Sequence, residues 1–254
     1  MVIEYNRPKT LDEALSLLSR KGIKTLPLGG GTILNQPSTE RYAVVDLQSL
    51  GLDIIQARGN TLTLGATVTL QKALESGRLP DGLDKVIRHE ASYNLRQVAT
   101  LAGTLVSADG RSPFATALLA LDAALEIKSA SDPSERISLG DLLPVRGERL
   151  AGRLITSVTL PLNIQLVYEV VSRTPEDLPI VCVALARWPS GRTRLVLGGF
   201  GEAPLLALDG PEAGGAEVAA RDAYSRAGDE WASAEYRQDV AAILTRRCLS
   251  TITG

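Results

Sequence analysis

Pro27-Leu28-Gly29-Gly30-Gly31-Thr32-Ile33-Leu34 places three consecutive glycines directly after a short apolar run at residues 23–28. Glycine reaches positive φ without steric cost and leaves its N–H groups open. A strand-to-loop junction of this kind can therefore wrap a phosphate with main-chain donors. The same cluster also serves as an ordinary flexible turn, because glycine is the commonest punctuation of loops. A second loop of matching chemistry elsewhere in the chain separates the two readings.

Around this loop the pattern is α+β. Val2-Ile3-Glu4-Tyr5 reads as a strand, and Thr10-Leu11-Asp12-Glu13 as a capping box opening an amphipathic helix that ends near Gly22. Residues 23–28 return as a strand and residues 42–47 supply a third, giving a βαβ-like unit with the glycine loop at the carboxyl end of its second strand. Gly59-Asn60 between β-prone runs predicts a hairpin over residues 54–64. Beyond it come helices at residues 70–76 and 83–88, an alanine- and leucine-rich helix at residues 114–124 and a strand at residues 125–128. Residues 130–153 are richer in charge and proline, and the alternating run at residues 154–160 stops at Pro161. The last third carries strands at residues 167–172, 192–197 and 205–208, an apolar helix or strand at residues 180–186, and helices at residues 213–227 and 234–252.

Composition narrows the function. With 254 residues, 27 basic and 29 acidic side chains and no basic tract, nothing favours nucleic acid as a partner. No apolar run is long enough to span a membrane and the N-terminus lacks a signal-peptide pattern, so the chain is expected in the cytoplasm without membrane attachment. Cys182 and Cys248 lie far apart in apolar segments and are expected as buried thiols. Two cysteines cannot hold an iron–sulfur cluster, and a single histidine, His89, cannot build a multi-histidine metal site; its expected role is structural or solvent-facing. No metal ligands, catalytic nucleophile or acid–base pair emerge.

The second loop is residues 95–113, immediately before the apolar helix. Thr100, Thr104 and Ser107 can donate to phosphate oxygens, and Ala102 and Gly103 allow close approach of the main chain. A capped connection between helices has the same composition. Two such loops on two subdomains fit a pyrophosphate clamped between them.

These segments resemble the FAD-binding subunits and domains of the molybdenum hydroxylases, the xanthine dehydrogenase and carbon monoxide dehydrogenase medium-subunit family. Gly29-Gly30-Gly31-Thr32-Ile33-Leu34 is similar to that family's Ala-Gly-Gly-Thr loop, and Leu64-Gly65-Ala66-Thr67-Val68-Thr69 to its Ile-Gly-Ala-x-x-Thr segment. Residues 95–104, Leu-Arg-Gln-Val-Ala-Thr-Leu-Ala-Gly-Thr, follow its second FAD loop in order and spacing. Residues 118–123, the strand ending at Pro161, and the Tyr236-Arg237 segment complete the series.

The resemblance implies a two-subdomain FAD-binding fold of the PCMH-like type, followed by a small α/β C-terminal domain with a short sheet and helices. Residues 1–56 would form the first FAD-binding subdomain and residues 57–164 the second. Residues 165–254 would resemble the carbon monoxide dehydrogenase flavoprotein C-terminal domain. It implies FAD held by Leu28, Gly29, Gly30, Gly31, Thr32 and Ile33 from one side and by Thr100, Ala102, Gly103, Thr104, Ser107 and Asp109 from the other. Separate iron–sulfur and molybdenum-cofactor subunits are implied as partners, with electrons passing from the former through FAD to NAD, a quinone or oxygen.

The chain departs from the pattern at four places. Ala102 replaces a glycine, Thr104 an asparagine and Pro113 an acidic residue that tends to meet the FAD ribose, whereas Glu169 stands where a lysine near the flavin is common. Asp109 either substitutes for the missing acid or forms a turn with Gly110. These departures keep a second reading open, a non-redox structural or regulatory member that retains the fold, with or without FAD. A third is a free-standing nucleotide-binding module.

Overall fold

The computed structural model describes residues 1–37 and 39–253. Its first layer is a three-stranded parallel sheet in the order β1-β3-β2, made of β1 (Val2–Asn6), β2 (Thr25–Leu28) and β3 (Tyr42–Asp46), with α1 (Leu11–Ser19) packed against it. The Thr10 hydroxyl accepts from the Glu13 N–H and starts α1, while Glu13 reaches back to the Lys9 N–H. Ala14, Leu15 and Leu18 on one face of α1 meet Val45, Leu47 and Leu154 in a small core of their own.

A five-stranded antiparallel sheet follows in the order β4-β5-β8-β6-β7: β4 (Ile55–Arg58), β5 (Thr61–Gly65), β6 (Ala124–Lys128), β7 (Glu135–Ser138) and β8 (Leu154–Pro161). The β4–β5 turn uses Gly59 at φ +54°, as a tight hairpin requires. Between β5 and β6 run α2 (Leu70–Glu75), α3 (Leu83–Glu90), α4 (Tyr93–Arg96), α5 (Leu101–Ser107) and α6 (Pro113–Ala120). Between β7 and β8 lie α7 (Leu139–Leu142), a 3-10 turn (Leu143–Val145) and α8 (Arg146–Arg149). Every residue of α6 is buried, in keeping with its apolar sequence. It ends earlier than expected because Ala124 already belongs to β6, with Asp122 turning the chain at φ +55°.

The remaining sheet is an antiparallel meander, β12-β11-β10-β9, from β9 (Gln165–Val171), β10 (Val181–Arg187), β11 (Thr193–Gly198) and β12 (Leu205–Gly210). Helices α9 (Ala216–Ala223) and α10 (Ala234–Thr253) cover one of its faces and α6 the other. Strand alternation feeds both sides. Val181, Val183 and Leu185 enter the core under α9 and α10, whereas Cys182, Ala184 and Ala186 join the large core built around α6. That large core therefore crosses residue 164 without a break.

Both cysteines are free and fully buried, and burial pushes each thiol up to about 12. His89 ties α3 to the last sheet, with Nδ1 2.9 Å from the Tyr168 hydroxyl and Nε2 3.2 Å from the Asp177 carbonyl. Among the described residues no helix is long and apolar enough to cross a membrane.

Candidate functional site

The glycine loop leaves the end of β2 and faces α5 across a cleft of about 560 Å3. Gly29, Gly30, Gly31, Thr32 and Ile33 line it from one side, and Thr100, Ala102, Gly103 and Ser107 from the other. The structure thus brings nine of the twelve expected residues to one place. Leu28, Thr104 and Asp109 are not among its lining residues.

Each glycine is demanded for a different reason. A Cβ on Gly30 would stand 1.7 Å from the Val98 carbonyl oxygen, and one on Gly29 would stand 2.8 Å from the Thr100 hydroxyl. Gly31 has room but adopts φ +71°. The bareness of Gly29 and Gly30 therefore lets the first sheet's loop press onto the segment before α5, so that the two walls touch at the floor of the cleft. Sequence reasoning assigned that bareness to a ligand; two of the three glycines owe it to another stretch of the chain. What the loop does offer a ligand is its donors. Among the described residues the N–H groups of Gly29, Gly30, Gly31 and Thr32 make no hydrogen bond. Four successive unpaired amides beside a cleft form a nest for an anion.

The opposite wall differs from expectation. Residues 101–107 are helical, not a loop, and Thr100 is the N-cap, its hydroxyl accepting from the Gly103 N–H at 3.2 Å. Main-chain bonds from Leu101 to the Val68 carbonyl and from Ala102 to the Ala66 carbonyl hold the first turn. Those acceptors belong to the Leu64–Thr69 motif, whose Gly65 would place a Cβ 2.1 Å from the Leu52 carbonyl. That motif positions α5. The Thr104 hydroxyl donates to the Thr100 carbonyl at 2.9 Å and the Ser107 hydroxyl to the Gly103 carbonyl at 2.9 Å. Their protons are spent inside the helix.

Asp109 accepts from the Arg111 N–H at 2.8 Å, which is the turn-forming use of an aspartate before glycine. Pro113 is the first residue of α6, where its missing N–H costs nothing. Glu169 sits on β9 with Lys85 at 3.8 Å, and it does not line the cleft.

The third wall, residues 146–155, escaped sequence reasoning, which saw a charged, proline-bearing connector. Arg146, Gly147, Gly152 and Arg153 all line the cleft, and the two cations flanking two glycines were the signal available in the sequence. Arg20, Lys24, Arg146 and Arg153 line the cleft and, among the described residues, no carboxylate does. Arg20 is held by both oxygens of Glu4 at 2.8 Å, Lys24 by Glu40 at 2.7 Å, and Arg153 by Glu135 at 3.2 Å. Apart from these cations, the open amides and a few hydroxyls, the lining is apolar, which suits a flat, largely apolar ligand bearing phosphate.

A small parallel sheet and a five-stranded antiparallel sheet flank a cationic cleft, with an antiparallel meander and two covering helices beyond them. Residues 1–163 match the model of the FAD binding domain in molybdopterin dehydrogenase, and the chain belongs to that family. It is thus a flavoprotein subunit of an oxidoreductase. It is 26% identical over 281 aligned positions to the carbon monoxide dehydrogenase medium chain of Afipia carboxidovorans, covering 97% of this chain and 95% of that one. The uncharacterised protein YgfM of Escherichia coli is 26% identical over 211 residues, 82% of this chain and 79% of YgfM. Among solved structures, a chain of the cyanide-inactivated Cu,Mo-CO dehydrogenase superposes with a TM-score of 0.83 at 22% identity, covering 98% of this chain and 97% of that one. A chain of quinoline 2-oxidoreductase from Pseudomonas putida 86 gives 0.77 at 23%, over 98% and 95%.

Proposed function

We propose that the chain is the electron-transfer flavoprotein subunit of a molybdenum-containing dehydrogenase, with FAD seated in the cleft between the glycine loop and α5. The observation that carries this reading is the run of amides at Gly29, Gly30, Gly31 and Thr32, unpaired among the described residues, in a cleft whose described lining has four cationic side chains and no carboxylate. Bound FAD would supply the redox chemistry, accepting electrons from an iron–sulfur partner subunit and passing them to NAD, a quinone or oxygen, with the molybdenum cofactor in a third subunit. This chain's residues bind and orient. Gly29 to Thr32 would hold the pyrophosphate, Ala102 and Gly103 would leave room for it beside α5, and Leu26, Pro27 and Leu154 would offer apolar contact to a ring system.

The purified chain tests this directly. Its visible spectrum should show oxidised flavin, and denaturation should release FAD identifiable by chromatography. A protein that is colourless and stays so after incubation with FAD refutes the reading.

A second reading is favoured by one observation, the internal use of the Thr104 and Ser107 hydroxyls. It holds the chain to be a non-redox structural or regulatory member that keeps the fold, with or without FAD. Anaerobic mixing with a reduced iron–sulfur partner separates the two, because bleaching of the flavin band occurs only in a working carrier.

A further inference from the structure

Arg146 is unlike the other cations of the cleft. Arg20, Lys24 and Arg153 each face a carboxylate, so most of their charge is met within the chain. No ion pair among the described residues includes Arg146. Its guanidinium is instead pinned by three main-chain carbonyls: Ala108 at 2.7 Å and Glu202 at 3.2 Å from Nη2, and Leu143 at 3.2 Å from Nη1. Neutral carbonyls orient a guanidinium but leave its full charge standing. Of its five N–H groups, three are taken by these bonds, and Nε together with one Nη1 hydrogen has no partner among the described residues. The side chain is half-buried. A fixed, half-buried, unneutralised guanidinium with two spare donors at a cleft wall is a preorganised anion receptor.

We propose that Arg146 is the side chain that recognises the phosphate charge of the cleft's ligand, supplying the charge-assisted hydrogen bonds that Thr104 and Ser107 do not. The proposal rests on the cleft being the FAD site and assigns to Arg146 the selection of a diphosphate-bearing flavin over an uncharged one. The pinning carbonyls come from two parts of the fold, Ala108 and Leu143 beside the cleft and Glu202 after β11. The same Glu202 segment is braced by the Gly110 N–H bonded to the Gly201 carbonyl at 2.8 Å and the Gly199 N–H bonded to the Gly110 carbonyl at 2.7 Å. Arg146 is thereby aimed by the last sheet as well as by its own helix.

The test compares apo-protein of wild type, Arg146→Met and Arg146→Lys by calorimetric titration with FAD, ADP and riboflavin at low and high salt. Thermal melts without ligand confirm that each variant is folded. Arg146→Met should weaken FAD and ADP by about 10- to 100-fold, the range for a lost charge-assisted hydrogen bond, and leave riboflavin within about twofold. Arg146→Lys should recover part of the loss, and the salt dependence of FAD binding should flatten in Arg146→Met. Unchanged FAD and ADP affinity in that variant overturns the proposal. Equal losses for FAD and riboflavin overturn it too, because they mark a residue that only props Ala108 and Glu202. If wild type binds ADP but not FAD, the flavin reading fails while the ADP titrations still decide Arg146; if it binds neither, both fail.

Discussion

Glu90, the last residue of α3, carries a carboxyl whose Oε2 accepts from the Ser112 hydroxyl and from the Phe114 N–H, both at 2.8 Å, at the start of α6. Burial pushes its pKa up to about 7, outweighing the two hydrogen bonds, which act in the opposite direction. The folded-state value thus lies above the unfolded one of 4.5. The native state holds the proton more tightly, so the contribution is fully favourable below the unfolded value and is lost as pH rises through the folded one. A difference of roughly 2.5 units corresponds to about 3 kcal/mol. Because Glu90 keeps partial solvent contact, about 2 kcal/mol is the working figure.

Glu90→Gln keeps an oxygen that can accept from both Ser112 and Phe114 but cannot ionise. Urea unfolding at pH 4 and pH 8 should give variant and wild type similar stability at the lower pH, and a variant more stable by about 2 kcal/mol at the higher. Burial lowers the pKa of His89, which therefore favours folding at the higher pH. Its contribution is common to both proteins and cancels in the difference. Parallel stability–pH curves for the two proteins would refute the reasoning.

Two further substitutions probe the frame around the cleft. Gly30→Ala should lower Tm and FAD retention together, at about 1–3 kcal/mol for displacing the Val98 carbonyl, whereas Gly31→Ala should cost about 1 kcal/mol for its left-handed backbone alone; equal effects in calorimetric melts would contradict the assigned contact. Arg237 is fully buried, paired with both oxygens of Asp229 at 2.8 and 2.9 Å and bonded to the Ala227 carbonyl at 2.6 Å. Arg237→Ala should cost about 3–5 kcal/mol in urea unfolding, and Arg237→Lys, which lacks the planar fork, should restore little of it.

Much of the fold could be read from local chemistry. Thr10 and Glu13 announced α1, Gly59-Asn60 announced the β4–β5 turn, and the apolar density of residues 114–120 announced a buried helix. The residues of α5 were missed because Thr100, Gly103, Thr104 and Ser107 carry weak helix propensity. They are helical because Val68 and Ala66, distant in sequence, fix the first turn and because the hydroxyls bond back along the helix. The same long-range character hid the contact between Gly30 and Val98 and the third wall at residues 146–155. Arg237 was visible only as half of a Tyr-Arg pair; its anchoring role needs Asp229 and the carbonyls of the last sheet brought around it. Local signals name elements, and pairing across the chain decides which of their atoms remain for a ligand.

The two-sided use of β10 has a consequence for synthesis of the chain. Cys182, Ala184 and Ala186 close the flank of α6 only after some sixty further residues have been made, about the stretch from residue 120 to residue 181. On the ribosome the glycine loop and α5, two of the cleft's walls, thus emerge well before the strand that seals α6. Until β10 is made, the α6 flank that Cys182, Ala184 and Ala186 cover stays an open apolar surface.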